Sequence, residues 1–273
     1  MRTALAQTSS GTDPAADLDL VAREVEAAAA AGARLLVLPE ATACRSGVPL
    51  GPVAEPVDGP WARRLEQLAD AAGITVVAGA FSPGAGGRVR NTLLVRGGGV
   101  SAHYGKTHLY DAFGFAESDT VEPGAEPVVV DVDGVGVGLA TCYDVRFPQL
   151  LTALADRGAQ VVVVAASGGA GPGKVEQWRL LARARALDCT SYVLACGQAE
   201  AGGTGQAEAG GTGQDGAGPS APTGVGHSLV AGPDGTVLDE LGGAPGRLVV
   251  DLDLGAVAAV RRALPVLSGR RAF

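Results

Sequence analysis

The chain has 273 residues, 47% apolar and 18% charged, a balance that suits a folded unit with a substantial core and excludes an intrinsically disordered one. Its formal charge of −8 leaves no basic excess to neutralise phosphates, which argues against nucleic acid or an anionic membrane as partner. No apolar run approaches the roughly 20 residues of a membrane-spanning helix.

Strand and helix patterns alternate from the start. Arg2 to Gln7 reads as a short strand that begins almost at the first residue, with no room before it for a targeting segment. Asp13-Pro14 opens an alanine-rich helix to about Ala31, closed by Gly32. Arg34 to Leu38 follows as a buried strand, with Pro39-Glu40 at its carboxyl end. Gly59-Pro60 starts a second helix with Trp61, Leu65 and Leu68 on one face, and Ile74 to Phe81 is an apolar strand. Val89 to Val95 and Val100 to Lys106 read as a meander turned at Gly97-Gly98-Gly99. Thr107 to Gly124 is irregular and carries Tyr110, Phe113 and Phe115, and a connection of that length with aromatics in it is expected to be functional.

After a strand at Val128 to Val132 comes V-G-V-G-L-A-T-C-Y-D-V-R-F-P, from Val135 to Pro148. Its first half alternates branched residues with glycine, as in a strand that another layer approaches closely. The second half turns, and Pro148 sits where the first turn of a helix tolerates it, so Cys142 falls on a strand-to-helix elbow. Such an elbow lifts a nucleophile out of the sheet, and the helix N-terminus beside it favours the thiolate. A helix to Arg157, a strand at Val161 to Ala165, an arginine-rich helix at Val175 to Leu187 and a strand at Tyr192 to Cys196 continue the alternation.

Gln198 to Gly205 reads Q-A-E-A-G-G-T-G and is repeated identically at Gln206 to Gly213. An eight-residue unit used twice is too short for a solenoid. Composition makes 198–222 a flexible surface loop within a single 1–273 domain. A hairpin turned at Pro233-Asp234-Gly235, a strand at Arg247 to Asp251 and a helix at Gly255 to Arg262 complete an α/β chain. The meander and the hairpin require mixed sheets.

The four cysteines, Cys44, Cys142, Cys189 and Cys196, form no C-x-x-C pair, and a reduced, cytoplasmic chain is expected. The three histidines lack the spacing of a helical zinc pair, and His227 reads as a structural hydrogen-bonder. Lys106 and Lys174 are the only lysines.

Glu40, Lys106 and Cys142 each directly follow a predicted strand. Side chains at strand ends of an open α/β sheet converge on one rim, where ligands bind. A carboxylate, an ammonium and a thiol on one rim form a hydrolytic set: the carboxylate takes the thiol proton, the thiolate attacks, and the ammonium stabilises the oxyanion. That set needs neither metal nor organic cofactor.

L-P-E at Leu38 to Glu40, N-T-L-L-V at Asn91 to Val95, G-K-T-H-L at Gly105 to Leu109 and T-C-Y-D-V-R-F-P at Thr141 to Pro148 resemble the nitrilase (carbon–nitrogen hydrolase) superfamily. L-A-R-A-R-A-L-D at Leu181 to Asp188, G-H-S at Gly226 to Ser228 and R-R-A-L-P-V at Arg261 to Val266 extend the resemblance, in family order, over nearly the whole chain. It implies a four-layer α-β-β-α sandwich, with Glu40 as general base, Lys106 as oxyanion stabiliser and Cys142 as nucleophile. The Tyr143 N–H is then the second oxyanion donor, and Glu117 positions Lys106 and the substrate. C-Y-D-x-R-F-P is similar to the amidase branch of omega-amidases and deaminated-glutathione amidases, whereas nitrilases typically show C-W-E. Gln177-Trp178 and Ala166-Ser167-Gly168 depart from the His-Trp and Ala-Phe that relatives often carry. Ser167 and Arg146 are the candidates for substrate contact, though Arg146 is also expected to brace the elbow in an ion pair with Asp144. A homodimer through the helices after the cysteine is implied as well.

The expected activity is cleavage of a small linear amide to carboxylate and ammonia through a thioester. Its rivals are a nitrilase or N-carbamoyl hydrolase of the same fold, and an inactive binding or regulatory module. The composition of the duplicated segment gives a first prediction. Deleting Gln206 to Gly213 leaves the melting temperature nearly unchanged; a drop of more than about 5 °C, on the order of 1–2 kcal/mol, would show that the segment packs.

Overall fold

The computed structural model describes residues 1–200 and 224–271. In chain order the first half is β1 (Arg2–Gln7), α1 (Pro14–Ala30), β2 (Leu35–Val37), α2 (Pro60–Ala72), β3 (Thr75–Pro83), β4 (Val89–Gly97) and β5 (Val100–Gly105). A small hairpin, β6 (Asp111–Ala112) with β7 (Phe115–Ala116), and β8 (Val129–Val132) follow. The second half is β9 (Val135–Thr141), α3 (Pro148–Asp156), β10 (Val161–Ala166), α4 (Lys174–Cys189), β11 (Tyr192–Gly197), β12 (Leu229–Ala231) and β13 (Val237–Glu240). β14 (Gly246–Asp251) and α5 (Leu254–Ala263) close the described chain.

Local signals set the helix ends. The Asp13 carboxylate accepts the Ala15 N–H at 2.9 Å ahead of Pro14, a side-chain cap with proline in the first turn. α2 stops on Gly73, whose φ of +67° only glycine adopts without strain.

The halves repeat one plan, strand-helix-strand-helix followed by three strands. Each forms a six-stranded mixed sheet, in the orders β14-β1-β2-β3-β4-β5 and β8-β9-β10-β11-β12-β13. The pairing senses agree: one antiparallel edge, two parallel pairs, then two antiparallel pairs. β14, last in the chain, flanks β1, while β8 from the middle of the chain flanks β9, so each sheet borrows an edge.

The sheets face one another across a dry core and carry helices on their outer faces, the four-layer sandwich the sequence leads one to expect. β10 shows how the strands serve both layers: Val161, Val163 and Ala165 enter the inter-sheet core, and Val162, Val164 and Ala166 pack beneath α3 and α4. Burial on both faces explains its uninterrupted apolar run. Leu5, Val37, Val77 and Tyr104 of the first sheet meet Leu139, Val163 and Leu194 of the second. Full burial of one such aliphatic side chain contributes about 1.5–3 kcal/mol. α1 and α2 cover the first sheet through Val21, Val25, Trp61 and Leu65.

The segment expected as a flexible loop at 198–222 lies outside the described residues from 201 on. Its first residues are anchored: Gln198 and Ala199 are buried, and the N–H groups of Ala199 and Glu200 donate to Thr8 and Gly243 carbonyls at 2.8 and 2.9 Å. Composition could not separate them from the repeat that follows, because their order comes from long-range partners.

Candidate active site

Three strand ends reach one rim. Glu40 stands three residues past β2, where the chain continues beside β3 before turning away. The Gly79 N–H donates to the Pro39 carbonyl at 3.1 Å, and the Ala43 N–H donates to the Gly79 carbonyl at 2.9 Å. A Cβ on Gly79 would lie 2.4 Å from the Ala41 nitrogen and 2.7 Å from the Glu40 Cα, so glycine is required for that approach. Ala41 takes a φ of +59°, and the Gln198 amide donates to the Glu40 carbonyl at 3.0 Å. The backbone carrying this carboxylate is therefore held from two sides.

Lys106 follows β5 directly. Its N–H donates to the Asn91 carbonyl on β4, and its own carbonyl accepts the Gly124 N–H, each at 2.8 Å. Glu117 opens a short 3₁₀ turn, Glu117–Asp119, immediately after β7. Cys142 begins a second 3₁₀ turn, Cys142–Arg146, at a φ of +48°. A non-glycine residue in that region costs on the order of 1–3 kcal/mol and persists only where its surroundings over-determine it.

The side chains converge. Lys106 Nζ donates to Glu40 Oε1 at 3.1 Å and to Glu117 Oε1 and Oε2 at 3.0 and 2.8 Å, and all three residues are buried. Glu40 Oε1 also accepts Asn91 Nδ2 at 2.7 Å, while Oε2 accepts the Ser167 N–H at 2.7 Å. Asn91 Nδ2 reaches Glu117 Oε1 at 3.2 Å, and the Tyr110 N–H donates to Glu117 Oε2 at 2.7 Å. The Glu40 carboxylate also faces the Cys142 thiol within hydrogen-bonding reach.

Two carboxylates thus share one ammonium beside a thiol. Burial alone pulls the Lys106 ammonium down, but Glu40, the Cys142 sulfur and Glu117 outweigh it and hold the pKa above the ordinary lysine value. The Cys142 thiol moves the opposite way from the sequence expectation. Burial and then the Glu40 carboxylate push it up, against the smaller pull of Lys106, so the resting group is a thiol and needs a base. The other three cysteines are buried and their thiols are likewise raised, first by burial, but none has a lysine and a carboxylate against it as Cys142 has.

The two substrate-contact candidates part company. Ser167 is buried and meets the cluster through its N–H, on Glu40. Arg146 lies at the rim, where Nη2 donates to Gln177 Oε1 at 2.8 Å and the guanidinium sits 6.0 Å from the Tyr143 ring. It forms no ion pair with Asp144. Asp144 is fully buried and takes its donors from Tyr104, His108 and Thr141 instead. His227 is structural as expected, with its carbonyl accepting the Trp178 indole N–H at 2.9 Å and Nδ1 lying 3.2 Å from Glu240. Asn91 and the Tyr110 N–H are members of the cluster that residue-by-residue reading did not assign. An asparagine inside an apolar strand is itself a signal, since strands are poor in it.

The carbon–nitrogen hydrolase family profile matches residues 2–262, and the chain belongs to that family. It is an enzyme of the amidase-like, nitrilase-superfamily kind, acting on carbon–nitrogen bonds. Among its relatives is a protein of Mycobacterium tuberculosis named Hydrolase Rv0480c, 59% identical over 277 residues, spanning 100% of this chain and 96% of the relative. The deaminated glutathione amidase of Escherichia coli O157:H7 is 33% identical over 242 residues, 87% of this chain and 84% of its own. Among solved structures, the amidase from Nesterenkonia sp. AN1 superposes with a TM-score of 0.77 at 30% identity, covering 97% of this chain and 98% of that one. That structure shows Michael addition of acrylamide at its active-site cysteine.

The Gly79 contact generates a prediction. A methyl group there displaces the backbone of Glu40, and a misplacement of about 1 Å can cost about a hundredfold. Gly79→Ala therefore lowers kcat by at least about tenfold while circular dichroism reports a folded protein; unchanged kcat would show that the close approach does not position Glu40.

Proposed function

We propose that the chain hydrolyses a short linear amide, preferentially one with a carboxylate at the far end of its acyl chain, to carboxylate and ammonia through a thioester on Cys142. The observation that carries this reading is the closed cluster of Glu40, Lys106 and Glu117 facing the Cys142 thiol. Glu40 takes the thiol proton as sulfur attacks the amide carbon. Its Oε1 already accepts two donors, so Oε2 is the oxygen with capacity left for that proton. Lys106 Nζ and the Tyr143 N–H stabilise the oxyanion. Tyr143 is second in its turn, a position whose N–H has no partner within a helical turn. Glu40 returns the proton to the leaving nitrogen, ammonia departs, and the thioester remains. Water enters, Glu40 takes its proton, and the second tetrahedral species collapses to the acid and the free thiol. Glu117 keeps Lys106 charged and aimed throughout.

Support for the acyl preference comes from Arg146, whose guanidinium is exposed at the rim beside Tyr143, and from relatives that include an omega-amidase of Homo sapiens, 30% identical over 255 residues. Four free cysteines support a reducing, cytoplasmic setting. Association as a homodimer is supported by the exposed Leu180 and Leu187 on α4, with Leu264 close by in sequence to the α5 end. Sedimentation velocity at micromolar concentration checks it: a dimer is expected, and a monomer would refute the assignment.

Ammonia release across dicarboxylate monoamides, N-carbamoyl amines and aliphatic nitriles tests the activity, with turnover expected for the monoamides. Turnover of nitriles alone would make the protein a nitrilase, and inertness on all three would favour a binding module. Cys142→Ala is expected to abolish turnover, and an acyl adduct trapped with a slow substrate should map to Cys142. Lys106→Arg should lose at least about a hundredfold in kcat, because guanidinium places its donors elsewhere. A folded Lys106→Arg enzyme within a few-fold of wild type would remove the lysine from the mechanism.

A further inference from the structure

Asp144 is fully buried two residues past Cys142, yet nothing in the proposed chemistry uses it. Both of its oxygens are filled. Oδ1 accepts the His108 N–H at 2.9 Å and lies 2.8 Å from His108 Nδ1, while Oδ2 accepts the Tyr104 hydroxyl and the Thr141 N–H at 2.8 Å each. Four donor positions around two oxygens are the full complement of an ionised carboxylate. The Tyr104 hydroxyl has one proton to give. It spends that proton on Asp144 and accepts in turn from the Thr107 N–H at 3.2 Å and the Thr107 hydroxyl at 2.9 Å.

The origin of these donors matters more than their number. Tyr104 lies two residues before Lys106 and His108 two residues after it, on the strand end of the first sheet. Thr141 immediately precedes Cys142 on the second sheet. His108 also stacks on Phe147, centroid to centroid 3.7 Å with 6° between planes, so the segment after Lys106 touches both ends of the cysteine turn. One carboxylate therefore fastens the lysine's segment to the cysteine's turn across the gap between sheets. It does so at the place where Cys142 is held at positive φ.

We propose that Asp144 is a positioning residue whose carboxylate, held by Tyr104, His108 and Thr141, fixes the separation between the Lys106 ammonium and the Cys142 sulfur. The inference rests on the reading of Cys142 as nucleophile and Lys106 as its oxyanion partner. Asp144 touches neither reacting atom; its loss lets the two strand ends drift apart while the mouth of the site keeps its residues.

Two variants and two readouts test this. Asp144→Asn replaces one acceptor oxygen with a donor, so one pair of its partners is left facing an N–H. Tyr104→Phe removes a single donor and keeps the ring in the core. In steady-state assays with glutaramate, Asp144→Asn is expected to lower kcat by at least about thirtyfold and Tyr104→Phe by about five- to tenfold, with KM within about threefold of wild type. The second readout needs no amide substrate: the pH profile of iodoacetamide alkylation of Cys142, located by peptide mapping, should move up by about one unit as the ammonium retreats from the sulfur. That profile separates failure of this inference from failure of the proposed activity, because it reports on the thiol whatever the enzyme turns over. Should Asp144→Asn fail to fold, Tyr104→Phe decides alone. Folded variants with a lower melting temperature but wild-type kcat and alkylation profile would reduce Asp144 to a structural residue and overturn the proposal.

Discussion

The constraint on which this structure turns is a single buried ammonium between two buried carboxylates. Taking each ion out of water costs several kcal/mol, and the mutual attraction offsets this only when every oxygen and proton finds a partner. Here each one is supplied: Lys106 spreads its donors over Glu40 and Glu117, and Asn91, the Ser167 N–H and the Tyr110 N–H fill the remaining acceptor sites. Removing one member leaves another charged and unpaired in the interior. The cluster is therefore held together by the same penalty that would punish its dispersal.

That requirement explains much of the surrounding architecture. The partners come from β2, β4, β5, the hairpin before Glu117 and the end of β10, so no single segment forms the site. Glycines stand where main chains must nearly touch, at Gly79 beneath Glu40 and at Gly124 against Gly105, where a Cβ would fall 2.1 Å from the Gly105 oxygen. The inter-sheet core below is aliphatic and dry, and it changes at the rim to a polar network whose groups are almost all satisfied. Asn91 Oδ1 is one buried atom left without a partner among the described residues.

Much of this was legible in the sequence. Glu40, Lys106 and Cys142 could be found because each combines a chemically distinctive side chain with a strand end, and the sheet architecture gathers strand ends on one rim. The mixed sheets followed from the meander and the hairpin. What escaped was whatever depends on backbone groups or on distant partners. The N–H groups of Ser167 and Tyr110 have no signature in the one-dimensional pattern, since every residue but proline carries one. Asp144 and Arg146 looked like an ion pair because they are neighbours in sequence with opposite charge. The fold turns one into the core and the other to the rim, which sequence adjacency does not encode. The thiol was misjudged for a similar reason: a helix start argues for the thiolate, but the facing carboxylate on the other sheet argues more strongly against it.

The repeated plan of the two halves has a consequence for the life of the molecule before it is an enzyme. The first half carries Glu40, Lys106 and Glu117, and the second carries Cys142, so neither holds a reactive pair by itself. A ribosome delivers the base first and the nucleophile later, with β14 arriving last to seal the first sheet. Until the sheets dock, the cysteine has no carboxylate to take its proton and no ammonium to receive the charge that attack creates. Reactivity is thus withheld from every incomplete form of the chain, and the nascent polypeptide carries its nucleophile through synthesis in a chemically quiet state.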